Sequence, residues 1–140
     1  MKLTTKGKYA ILAMYDLASH VGDHPQSIAS IATRQHVPEQ YLVQLMKKLR
    51  EHALVESTRG TKGGYILARL PEKITVGQII HAVEEQTRPV ECFGLECDNY
   101  NNCVANHLWT KIGNAIEDVI DHETLADMLN YPKNQQIETI

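Results

Sequence analysis

The sequence predicts a mainly α-helical fold carrying one small β-hairpin. Apolar residues recur at helical spacing in several separate stretches. Two short β-type runs flank a connection containing Gly60, Gly63 and Gly64. The last long stretch carries an apolar seam at heptad spacing, which suits a dimerisation helix.

Residues 9–20 read as the first helix, with Ile11, Leu12, Met14, Tyr15, Leu17 and Ala18 on a wide buried side. Gly22-Asp23-His24-Pro25 then breaks the chain. Ser27 is the expected N-cap of a short helix that turns Ile28, Ile31 and Ala32 inward and ends around residues 35–37. Pro38 suits the first turn of a third helix reaching about residue 52. Its inward face is Tyr41, Leu42, Leu45, Met46 and Leu49. Strands follow at residues 54–57 and 65–67, and Pro71 closes the segment. Thr75-Val76-Gly77-Gln78 fits a capping box opening a helix to about residue 85, which buries Val76, Ile79, Ile80 and Val83. Residues 87–102 are irregular, polar and cysteine-bearing. A long helix is expected from near residue 103 to about 121, then a helical turn over 124–129 and a polar tail.

The chain of 140 residues suits one domain with a dimerisation element. The expected division is 1–73 for DNA binding, 74–130 for a helix, a cysteine loop (88–107) and the dimer helix, and 131–140 for the tail. No apolar run reaches the ~20 residues of a membrane span, and the N-terminus lacks a signal-peptide core. A cytoplasmic location without membrane contact is expected. The net charge of −3 hides an asymmetry. Residues 1–73 carry eleven Lys/Arg against six Asp/Glu, whereas residues 74–140 carry three against eleven. This suggests a polyanion-binding half and a half with another task, set against mere clustering on solvated faces.

Helix, short helix, tight turn, helix and hairpin is the order of a winged helix-turn-helix. The third helix anchors one face and projects Glu39, Gln40, Gln44, Lys47 and Lys48. Gln40 and Gln44 are the expected base readers in a major groove, with Tyr41 beside them. Lys47 and Lys48 suit phosphates. At the hairpin tip, Gly60 lets the backbone approach the sugar–phosphate chain, and Arg59 and Lys62 suit a narrow minor groove. Lys6 and Lys8 add phosphate contacts. Each piece alone also reads as an ordinary solvated surface or turn; their order within the basic half points to double-stranded DNA. No nucleotide loop or Ser/His/Asp constellation points to an enzyme.

Cys92, Cys97 and Cys103 lie within twelve residues, and the chain has no other cysteine. An odd number in a reducing compartment argues against a disulfide framework. Thiolates suit an iron–sulfur cluster or zinc. Cys103 falls near a helix N-terminus, which favours thiolate. His107, four residues on, is a candidate fourth ligand; a side chain from a partner subunit is another. Structural zinc usually uses closer Cys-x-x-Cys pairs, and free thiols can act as a redox switch. His20, His24, His36, His52, His81 and His122 read as surface or capping residues. Leu108, Ile112, Ala115 and Val119, flanked by Ile116 and Ile120, form the seam, read as a homodimer interface rather than intrachain packing.

The opening Leu3-Thr4-Thr5-Lys6-Gly7-Lys8-Tyr9-Ala10 resembles that of the IscR/NsrR/CymR family of bacterial winged-helix regulators. Tyr41-Leu42-Val43-Gln44-Leu45, the wing Arg59-Gly60-Thr61-Lys62-Gly63-Gly64-Tyr65, Leu108-Trp109 and Thr124-Leu125-Ala126-Asp127-Met128-Leu129 extend the resemblance over most of the chain. It implies a homodimer on near-palindromic promoter DNA with the long C-terminal helices crossing. It also implies a 2Fe–2S cluster on three cysteines and a histidine (IscR-like), a nitric-oxide-responsive cluster (NsrR-like), or control of cysteine metabolism through a partner protein (CymR-like); for this chain 2Fe–2S is the favoured cluster and 4Fe–4S the alternative. The cysteines favour the first two. Cys92 and Cys97 are one residue closer than in the IscR pattern, and Asn106 stands where the ligand histidine aligns, with His107 next. Val43 stands where some IscR proteins have an acidic residue.

Overall fold

A computed structural model describes residues 4–61, 63–84 and 103–133. They form α1 (Thr5–Ser19), α2 (Ile28–Gln35), α3 (Glu39–Glu51), β1 (Val55–Thr58), β2 (Gly64–Leu67), a short 3-10 turn (Pro71–Lys73), α4 (Val76–Val83), α5 (Asn106–His122) and α6 (Leu125–Leu129). Strands β1 and β2 pair antiparallel, with Val55 opposite Leu67 and Thr58 opposite Gly64. The expected winged helix-turn-helix architecture is therefore present.

Helix α1 packs against α2, α3, α4 and α6. Its Ala10, Ala13, Met14 and Leu17 meet Ile31 of α2, Leu42, Met46 and Leu49 of α3, Ile79 and Val83 of α4 and Leu125 of α6 in one buried cluster. Small alanines at positions 10 and 13 let neighbouring helices approach closely, and the larger side chains fill the remaining space. Leu12, expected on the buried side, is 36% exposed.

Several element boundaries differ from expectation. Helix α1 starts at Thr5 rather than near residue 9. The Glu84 carboxylate, from the end of α4, accepts the Gly7 N–H at 3.1 Å and the Thr4 hydroxyl, capping the extra turn. Pro38 stands at the N-cap of α3, one residue before the helix. Leu54 is withheld from β1 because its N–H closes the end of α3 on the Leu49 carbonyl, while Ala53 takes φ +56° and donates to Arg50. This is the Schellman arrangement, with alanine where glycine is usual. Helix α5 begins at Asn106, so Cys103 precedes it.

The capping box at Thr75 is present. The Gln78 N–H donates to Thr75 Oγ1 at 3.1 Å, and the Thr75 N–H donates to Gln78 Oε1 at 3.0 Å. Thr124 and Asp127 repeat the device at α6. Between them, the Val76 N–H donates to the Glu123 carbonyl at 2.8 Å and the Leu125 N–H to Ile74 at 3.0 Å. These bonds tie the start of α4 to the end of α5 and thus fix the long helix to the helix-turn-helix body.

Candidate nucleic-acid interface

Helix α3 buries Leu42, Leu45, Met46 and Leu49, and this orientation exposes Gln40, Val43, Gln44 and Lys47 as one stripe at i, i+3, i+4 and i+7 spacing. Lys48 is half-buried beside it. Tyr41 is drawn inward, its ring meeting Tyr9 edge-on at a centroid distance of 5.4 Å. Val43, absent from the sequence-based contact set, is 50% exposed in the middle of the stripe. An apolar side chain there suits a thymine methyl group. Arg50 follows on the exposed side and donates to the Ser57 hydroxyl at 3.4 Å, linking α3 to β1. In the first turn of α1, Lys8 is exposed and Lys6 half-buried.

Arg59, Gly60 and Thr61 at the wing tip are exposed. Gly60 takes φ +114°, open to glycine and strained for other residues. Its carbonyl accepts the Gly63 N–H at 2.9 Å, closing the turn. Lys62 lies outside the described residues.

The wing is bolted to the helix-turn-helix by a contact that local sequence patterns do not reveal. Gln26, before α2, pairs with Tyr65 of β2 through both backbone groups, at 2.9 and 2.8 Å. A Cβ on Gly64 would lie 2.4 Å from the Gln26 carbonyl oxygen, so glycine is what admits this approach. The Gln26 side chain accepts from Arg34 Nη2 at 2.8 Å and donates to the His24 carbonyl at 2.8 Å. Arg34 in turn grips Asp16 with Nε and Nη2, at 2.9 and 2.7 Å, and Gln35 donates to the same carboxylate at 3.1 Å. Asp16 is 1% exposed. Burial pushes its carboxyl up, but the hydrogen bonds from Arg34 and Gln35 and the nearby positive charge outweigh burial and hold it below the ordinary aspartate range.

Of the cysteine region, Cys103 and His107 lie among the described residues; Cys92 and Cys97 lie outside them. Cys103 is half-buried, and its carbonyl accepts the Asn106 N–H at 3.1 Å. His107 is exposed in the first turn of α5. Four-residue spacing would put Cys103 and His107 on one face of a continuous helix, but Cys103 precedes α5, so the pair shares no helix face. Among the described residues no group of three or more His, Cys, Asp or Glu side chains is placed to hold a metal ion. Further along α5, Leu108 and Val119 are 51% and 61% exposed, Ala115 is exposed and Ile112 half-buried. His20, His52 and His122 bond backbone carbonyls four residues earlier, and His36 closes α2 in a left-handed conformation. These four act as local capping residues.

A groove-sized helix presenting amides and lysine, with an arginine-tipped wing beside it, defines a winged helix-turn-helix DNA-binding protein. The chain belongs to the Rrf2 family, described as iron-dependent transcriptional regulators, whose pattern matches residues 3–131. It is 40% identical over 138 residues to the HTH-type transcriptional regulator IscR of Erwinia tasmaniensis, covering 98% of this chain and 82% of that protein. Among solved structures it is similar to T. potens IscR, with 44% identity and a TM-score of 0.78, covering 99% of this chain and 94% of that one. It is also similar to CymR, the global cysteine regulator of B. subtilis, with 39% identity and a TM-score of 0.82, covering 95% and 99% of the two chains. The protein is a transcriptional regulator of the IscR-like kind and not an enzyme.

Proposed function

We propose that this regulator binds near-palindromic promoter DNA as a cytoplasmic homodimer and responds to the state of an iron–sulfur cluster held by Cys92, Cys97 and Cys103, with His107 as the fourth ligand. The observation that carries the dimer is the seam on α5. Leu108, Ile112, Ala115 and Val119 follow heptad spacing, and Leu108 and Val119 remain more than half exposed in the single chain. Apolar surface so arranged is a coiled-coil face awaiting its copy.

The donor set supports the cluster. Three thiols and an imidazole are soft ligands of the kind that hold iron–sulfur centres, and Cys103, half-buried ahead of α5, is a sheltered site for one of them. When bound, such a cluster supplies a redox- or nitric-oxide-sensitive group. The chain's own contribution is the linkage between sensor and reader. The cysteine segment leaves α4 at Glu84, whose carboxylate caps α1 beside Lys6 and Lys8, and re-enters at α5. A change in the ligation of Cys92, Cys97 or Cys103 therefore acts on both the dimer helix and the phosphate-contacting end of α1.

Gln40 and Gln44 read bases, with Tyr41 packed behind them on Tyr9, while Lys47, Lys48, Lys6 and Lys8 meet phosphates and Arg59, Gly60 and Lys62 approach the minor groove. The similarity to CymR favours a second reading, in which a partner protein sets activity and the cysteines bind no cluster. Absorption spectra with iron and sulfide assays on protein purified without oxygen separate the two. A visible band lost in Cys92→Ala, together with different DNA affinities for apo and loaded protein, is the expected result. Colourless, iron-free protein with unchanged DNA binding refutes cluster sensing. Stoichiometric zinc instead assigns the thiols a structural metal.

A further inference from the structure

Gln26 is 6% exposed, too buried to reach DNA, yet every hydrogen-bonding end of it is engaged. Its backbone N–H and carbonyl hold Tyr65 of the wing. Its side-chain oxygen is held by Arg34, in the last turn of α2, just before the turn into α3. Arg34 is itself fixed by two bonds to the buried Asp16 of α1, and a bidentate pair sets the plane of the guanidinium as well as its position. Nη2 serves both Asp16 and Gln26, so the orientation imposed by α1 is passed to the residue on which the wing rests.

We propose that Gln26, oriented by Arg34 and Asp16, is a positioning residue that sets the reach of the wing relative to α3. The inference rests on the reading of Arg59 as a DNA contact. An isolated two-stranded hairpin is marginal in water. Among the described residues this one gains a third backbone pairing at Gln26, which, beside the Arg50–Ser57 link to α3, sets where the Arg59 tip lies when α3 is seated in a groove. Loss of the Arg34–Gln26 bond leaves the Asp16–Arg34 pair and the core intact while freeing the wing to swing.

The test is a double-mutant cycle on the full chain, using a DNA duplex selected by the unmutated protein from a randomised library. In the unmutated background Arg59→Ala is expected to weaken binding about ten-fold. In the Gln26→Ala background the same change costs less than about three-fold, because the wing no longer meets DNA in register. Gln44→Ala costs the same in both backgrounds, a separation that general destabilisation does not produce. Gln26→Glu, which keeps an acceptor for Arg34 but loses the donor to the His24 carbonyl, restores part of the Arg59 effect. If Gln26→Ala fails to fold, Arg34→Lys, which keeps the charge and lacks the fork, takes its place in the same cycle. An Arg59 cost that is equal in both backgrounds overturns the proposal. So does a Gln44 cost that falls in parallel, because it shows distortion of the whole reader. An Arg59→Ala that leaves binding unchanged in the unmutated protein removes the wing reading itself, and this inference with it.

Discussion

Gly64→Ala tests the joint between wing and helix-turn-helix most directly. The added Cβ would lie 2.4 Å from the Gln26 carbonyl oxygen, 2.5 Å from its carbonyl carbon and 2.9 Å from the Ser27 nitrogen. All three are backbone atoms, so no side chain can rotate away. The chain relieves the clash most cheaply by parting β2 from Gln26, which sacrifices the two bonds between Gln26 and Tyr65. At about 1 kcal/mol net for each bond, the loss is about 2 kcal/mol, comparable with the ordinary cost of overpacking. With a urea dependence of roughly 1–3 kcal/mol per molar, the unfolding midpoint falls by about 1 M. Unfolding should be followed by circular dichroism, and DNA affinity measured well below the transition. The expected result is a lower midpoint together with weakened binding in the still-folded variant. An unchanged midpoint and unchanged affinity would refute the claim that close backbone approach at Gly64 seats the wing.

Ala53 has φ +56° at the end of α3; Ala53→Gly is expected to raise stability by about 0.5–1 kcal/mol in urea melts, and a loss shows that the left-handed strain is relieved elsewhere. Asp16 is held below the ordinary aspartate range in the fold, so its contribution is fully present above that range and lost as pH falls through its lower folded value. Stability profiles against pH should show Asp16→Asn weaker near neutrality and flatter on the acid limb; parallel curves contradict the linkage. Lys47→Ala, exposed on the reading face, should weaken binding to different sequences alike and reduce the salt slope by about one unit. A change confined to one base position would make Lys47 a base reader.

The exposed stripe of α3 was legible because its signal is local. Leu42, Leu45, Met46 and Leu49 define the buried side of α3 by spacing alone, and the opposite side follows by geometry. The capping box at Thr75 needs only Gln78, three residues on. The wing glycines mark a turn in any context. The cysteine triplet is visible in the sequence without any tertiary contact, and the thiolate site it suggests is a proposal, since Cys92 and Cys97 lie outside the described residues.

Tertiary structure decided what depends on partners far apart in the chain. The start of α1 was misplaced because its cap, Glu84, lies at the far end of α4. Nothing local marks Asp16 as buried, yet packing buries it, and Arg34 and Gln35, eighteen and nineteen residues on, make that burial tolerable. Gln26 gave no sign that it anchors Tyr65. Periodicity reports which face of an element is buried, since that face is set by residues within a turn or two. Which elements meet, and which polar groups they then satisfy, depends on the packed chain, because buried polar groups must find partners wherever the fold brings them.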